Sequence, residues 1–95
     1  MNKLKQIKKE IEEILELPDL ALDSNKRSLV RGRVIFGRVG RALDFSLEEI
    51  GAVINKAHST ILYYTDRYSD FTAHKKENQQ ISDFLIEKYK NYFEL

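Results

Sequence analysis

The sequence predicts an all-α fold, a compact bundle of about five helices containing a helix-turn-helix, and three observations predict it. Apolar residues recur at intervals of three and four, as at Leu4, Ile7, Ile11, Ile14 and Leu15, which is the repeat of one helical face. Ser46 and Glu49 stand three apart ahead of an apolar run, the signature of a capping box. Two short periodic runs flank Asn55 and Lys56, leaving a turn of only a few residues between two helices.

A chain of 95 residues has room for one core, because a second would leave each half too small to fold unaided. Residues 1–95 are therefore expected to form a single domain. A hydrophobic content of 42% with 33% charged residues is that of a soluble globular protein, and no apolar run approaches the roughly 18 residues of a membrane span. The first residues mix charged and apolar types and lack the continuous apolar stretch of a signal peptide. Cytoplasmic residence is the expectation. Without cysteine there is neither a disulfide framework nor a thiolate metal cage, which suits a reducing compartment.

The elements follow in order. A first helix over 1–17 is ended by Pro18, which disfavours helical geometry in the residue before it and has no amide to donate. A loop over 19–26 brings Leu20 and Leu22 onto the core. The second helix runs from Ser28 or Arg31 to Asp44 with Ile35, Val39, Ala42 and Leu43 inward. Gly32, Gly37 and Gly40 each cost that helix about 1 kcal/mol relative to alanine. They point to close approach by another helix or by a phosphate, or to a weak helix. The helix-turn-helix spans 46–69: Leu47, Ile50, Val53 and Ile54 line its first helix, Gly51 sits at the crowded crossing, and the second starts at Ala57 or His58 and carries Ile61, Leu62, Thr65 and Tyr68. A last helix over 72–93 sets Ile81, Phe84, Leu85, Lys88, Tyr89 and Tyr92 on one side.

The net charge of +1 is unevenly spread. Residues 1–24 and 45–95 are each net negative, whereas residues 25–43 hold Lys26, Arg27, Arg31, Arg33, Arg38 and Arg41 without an acid. Such a segment is either an electrostatic footprint for phosphate or a solvated arginine-rich face. In a helix-turn-helix the second helix enters the major groove and its first residues meet base edges. Those residues here are Lys56, Ala57, His58 and Ser59, with Tyr63 within reach and Thr60 placed to bond a phosphate. Any solvent-exposed helix start would show the same polar pattern.

Ser46-Leu47-Glu48-Glu49-Ile50-Gly51 followed by His58-Ser59-Thr60-Ile61-Leu62 resembles the paired signature blocks of the C-terminal DNA-binding domain of the bacterial replication initiator DnaA. Arg27-Ser28-Leu29-Val30-Arg31-Gly32-Arg33 is similar to that family's basic loop, and Glu16-Leu17-Pro18-Asp19-Leu20 to the end of its N-terminal helix. The likeness covers nearly the whole chain and implies a Trp repressor-like helical domain that binds double-stranded DNA. It implies that Arg27 enters the minor groove, that His58, Ser59 and Lys56 contact bases, and that Lys26, Arg31, Arg33 and Thr60 contact the backbone. Three departures stand out. The interval from Gly51 to His58 is one residue shorter than is usual in the family. Ala57 replaces an acid that could accept from a cytosine or adenine amino group. Gly32 stands where the family often has proline.

No Gly-x-x-x-x-Gly-Lys-Ser/Thr loop occurs, so nucleotide-driven assembly is not expected. The resemblance implies a stand-alone regulator of replication initiation or transcription, encoded by a bacterium or by a phage or mobile element, in the bacterial or host cytoplasm. Catalysis, a cofactor, a metal and a small-molecule substrate are not expected. The only histidines are His58 and His74 on different helices, no cysteine is present, and acid pairs such as Glu48 and Glu49 are adjacent and point to different sides of a helix. The alternative is a protein-protein interaction module on the same fold. Tyr63, Tyr64, Tyr68, Tyr89, Tyr92 and Phe93 crowd the later helices, and aromatics with polar tips serve interfaces as well as small cores.

Overall fold

The first helix, α1 (Lys3–Ile14), begins where the Asn2 side chain accepts from the Lys5 amide at 2.8 Å, and it buries Leu4, Ile7 and Ile11. It closes earlier than the position of Pro18 suggests. Glu16 takes a left-handed conformation (φ 54°), the Leu17 amide donates to Glu12 O at 2.8 Å and the Glu16 amide to Glu13 O at 3.3 Å, the paired bonds of a Schellman stop. Because the chain turns there, Ile14 stays exposed while Leu17 and Leu20 swing back toward the core. Leu22, expected on the core, is exposed.

The computed structural model describes residues 2–66 and 75–91, and helices are the only regular elements among them. After α1 come α2 (Arg27–Ala42), α3 (Leu47–Ile54), α4 (His58–Asp66) and α5 (Lys75–Lys90). The fold is all-α, as the sequence predicts. Tyr68 and Ser69, residues 72–74 including His74, and Tyr92 and Phe93 lie outside the described residues.

The second helix is the axle of the bundle and packs against each of the other four. Its burial is accordingly not a stripe: Leu29, all of residues 32–37, Val39 and Gly40 are buried, whereas Ala42, expected inward, is exposed and Leu43 is half-buried. The helix ends at Ala42, with Asp44 left-handed (φ 68°) and the Phe45 amide on Gly40 O at 3.0 Å. Two of its glycines mark close approach by neighbouring side chains. A Cβ on Gly32 would lie 2.7 Å from Leu20 Cδ2, and one on Gly40 would lie 2.8 Å from Ile50 Cδ1.

The fifth helix is rotated relative to the sequence expectation. It buries Asn78, Ser82, Leu85 and Tyr89, while Phe84 is exposed and so is Lys88, which reaches across to Glu10 Oε1 on α1 at 2.5 Å. Polar Asn78 can occupy the core side because its Oδ1 accepts from Arg31 Nε at 2.6 Å, which removes the penalty of an unpaired buried amide. Apolar periodicity alone cannot register that exchange.

Candidate nucleic-acid interface

The α3–turn–α4 unit is locked from both ends. Ser46 Oγ accepts from the Glu49 amide and Glu49 Oε1 from the Ser46 amide, each at 3.0 Å, so the capping box forms in full. Asn55 then turns the chain in the left-handed region (φ 56°), and the Lys56 amide donates to Gly51 O at 2.8 Å. A Cβ on Gly51 would sit 2.2 Å from the Lys56 carbonyl oxygen. Only glycine tolerates that backbone approach, which is the crowding expected at this crossing.

The fourth helix presses Ile61 and Tyr64 into the core and meets α2 at Gly37, where a Cβ would touch Ile61 Cγ2 at 3.7 Å. Its other side faces outward. His58, Ser59, Leu62, Tyr63 and Asp66 are all exposed, and their spacing of four sets them in two adjacent rows on one face. Leu62, expected among the inward residues, is 47% exposed and Tyr63 57%. The apolar spacing misled because Tyr64, not Leu62, takes the inward position beside Ile61.

The start of this face carries the partial positive charge of a helix N-terminus. Ala57 precedes α4 and accepts from the Thr60 and Ile61 amides through its carbonyl, yet its methyl group offers nothing to the first-turn amides. No acid occurs in that first turn, so the partial positive charge of the helix start is left for solvent or a ligand. Lys56 stands half-buried beside it and Thr60 half-buried within it. The start of α2 is similar: Lys26 makes no side-chain cap, no acid occupies the first turn, and Lys26 and Arg27 are exposed. Two cations at the positive end of a helix are unfavourable in isolation. Arg27 lies about 15 Å along α2 from Gly37, where α4 crosses, at 1.5 Å per residue.

Arg31 and Arg33 are placed differently from the sequence expectation, whereas Arg41 stays exposed. Arg33, expected on a phosphate, is 0% exposed and donates to the carbonyls of Leu20, Leu22 and Ser24, so it is not accessible to a nucleic acid. Arg31 is largely covered; its Nη2 pairs with Glu77 Oε1 at 2.7 Å and its Nε holds Asn78. Arg41 Nη1 donates to Phe45 O at 2.8 Å. The basic segment is therefore less exposed than its composition suggests, and no local signal marks Glu77 or Asn78 as the partners.

Compared with known protein families, curated proteins and solved structures, the chain matches none. Among the described residues no helix is long and apolar enough to cross a membrane, and no three histidine, cysteine or acidic side chains come together to hold a metal.

Proposed function

We propose that this chain binds double-stranded DNA with sequence preference and acts in the regulation of replication initiation or transcription, without hydrolysing nucleotide. The observation that carries the reading is the outward face of α4, whose acid-free first turn follows Ala57, a residue without a side-chain acceptor, on a turn locked by Gly51. A helix of this kind, displayed by a second short helix, is the form that enters a major groove. His58 and Ser59 would meet base edges with Lys56 beside them, and Thr60, Lys26 and the outer part of Arg31 would hold phosphates. Arg27, one groove's scale away, would enter the neighbouring minor groove. The likeness of residues 58–62 to the DnaA DNA-binding domain supports the roles of His58, Ser59 and Thr60, and that of residues 27–33 to its basic loop supports those of Arg27 and Arg31.

Selection from a random duplex library tests the reading. His58→Ala should then lose on the order of 1–3 kcal/mol on the selected site and relax preference at one or two positions, while binding to random duplex barely changes. A folded His58→Ala that kept the wild-type ratio of selected to random binding would refute it. The exposure of Leu62 and Tyr63 on that face favours a second reading, a protein-protein interface. Weak dependence of binding on salt would mark that case, since phosphate contacts release counterions and tyrosine contacts do not.

A further inference from the structure

We propose that Arg33 is a positioning residue: it fixes the path of residues 20–26 and so sets where Lys26 and Arg27 stand at the start of α2. The inference about DNA rests on the reading above; the inference about the segment does not. Arg33 is fully buried. Its Nε donates to Leu20 O at 2.8 Å, Nη1 to Ser24 O at 2.7 Å, and Nη2 to Leu22 O. The three acceptors are alternate carbonyls of one short stretch, matched to the planar fork of a guanidinium. Among the described residues no carboxylate pairs with it, so these charge-assisted bonds are what keeps a buried cation tolerable.

The other bonds of the stretch lie at its start, where Lys8 pairs with Asp19 and the Ala21 and Leu22 amides donate to Asp19, or within it, where the Ser24 amide donates to Leu22 O. Leu20 is buried and its amide donates to Glu12 Oε2 at 2.8 Å, but Leu22, Asp23, Asn25 and Lys26 are exposed. Gly32, adjacent to Arg33, lets Leu17 and Leu20 lie against α2, which brings the carbonyls within reach of the fork. Beyond Ser24 the chain has only Asn25 and Lys26 before α2 begins, and the Lys26 amide donates to Ser24 Oγ at 3.3 Å. A displaced Ser24 carbonyl therefore moves Lys26 and the first turn of α2. Lysine at 33 would keep the charge and most of the stem, yet it cannot bond three carbonyls with a rigid fork.

Arg33→Lys is the test, in the full chain and with helicity checked first. Trypsin cleavage after Lys26 and Arg27, mapped by mass, should become at least about tenfold faster than in the wild type, with cleavage after Lys56 in the turn between α3 and α4 unaffected, because only the local opening of one segment has changed. Cleavage at the wild-type rate would overturn the proposal. Should the variant not fold, the wild type decides: the Arg33 Nε proton should exchange slowly with solvent by NMR, and fast exchange would overturn it. On duplex carrying the selected site, Arg33→Lys should lose preference for an A·T-rich over a G·C-rich flank as fully as Arg27→Ala does, the double variant losing no more, while preference at the bases under α4 is kept. A merely structural role would lower both preferences together. A loosened segment with the flank preference intact would overturn the positioning of Arg27, and failure of the wild type to bind any duplex at low salt would sink the DNA reading and leave the cleavage result to judge the hold on the segment.

Discussion

Ala57 offers a perturbation that separates helix stability from ligand binding. Its carbonyl accepts from the Thr60 amide at 3.0 Å and the Ile61 amide at 3.3 Å, which is the behaviour of a residue at the cap of α4, but it lacks a side-chain acceptor. Ala57→Ser should supply one to the Ser59 or Thr60 amide and stabilise the domain by about 1 kcal/mol. At this size that raises the melting temperature by roughly 4–8 °C. Ala57→Asp should do the same and add a further roughly 0.3–1 kcal/mol from the helix dipole. The two variants part company on DNA. A carboxylate about 6 Å from a phosphate in a water-like dielectric costs about 0.7 kcal/mol, near threefold in affinity, so Asp should weaken binding to random duplex while Ser leaves it unchanged. Thermal melts by circular dichroism and anisotropy titrations of random-sequence duplex at two salt concentrations give both numbers. If neither variant raised the melting temperature, the cap assignment would be wrong. If Asp bound random duplex as tightly as Ser, the start of α4 does not face phosphate.

Glu77→Gln removes the charge that holds Arg31 Nη2 and should raise duplex affinity and steepen the salt slope by about one unit; an unchanged slope would show that Arg31 meets no phosphate. Gly51→Ala sets a methyl group against the Lys56 carbonyl, and since backbone cannot swing aside the cost should reach the upper end of about 1–3 kcal/mol or exceed it, read as a large drop in melting temperature. Acid stability has a component at Asp19, whose carboxyl is held below its ordinary value first by the Lys8 ammonium and then by the Ala21 amide. A lowered folded value means stabilisation that is present above the usual carboxylate range and lost as pH falls through it. The melting-temperature gap between wild type and Asp19→Asn should therefore close on acidification, and a gap that widened would contradict the pairing. Lys8 runs the other way: burial lowers its pKa, but hydrogen bonds and charge from Asp19 and Glu12 outweigh it and leave the value raised. Its contribution should be complete at neutral pH and fade only as alkaline pH passes the folded value.

Much of the scaffold was legible because it is governed by short-range rules. The Ser46 and Glu49 pair caps α3 through bonds three residues apart, Gly51 answers a carbonyl five residues on, and Leu4, Ile7 and Ile11 repeat the helical period. Each can be read from neighbours in the chain. The candidate site was legible in part for the same reason: a polar start to α4 after a tight turn is a local feature, and His58 and Ser59 are exposed there.

What tertiary structure alone decided is which of several similar residues face water. Arg27, Arg31 and Arg33 are one residue type within seven positions, yet Arg27 is exposed, Arg31 is engaged by Glu77 and Asn78 from α5, and Arg33 is buried under the carbonyls of 20–24. The side chains themselves are equivalent. Their fates differ because a cation can leave water only where another part of the chain brings acceptors to it, and the segment that does so is fixed by how α1 turns back and α5 docks. The same dependence exposed Leu62 and Phe84 while seating Asn78 inside. Periodicity determines that a helix has an inner face, but the neighbours that pack against it determine which residues that face contains.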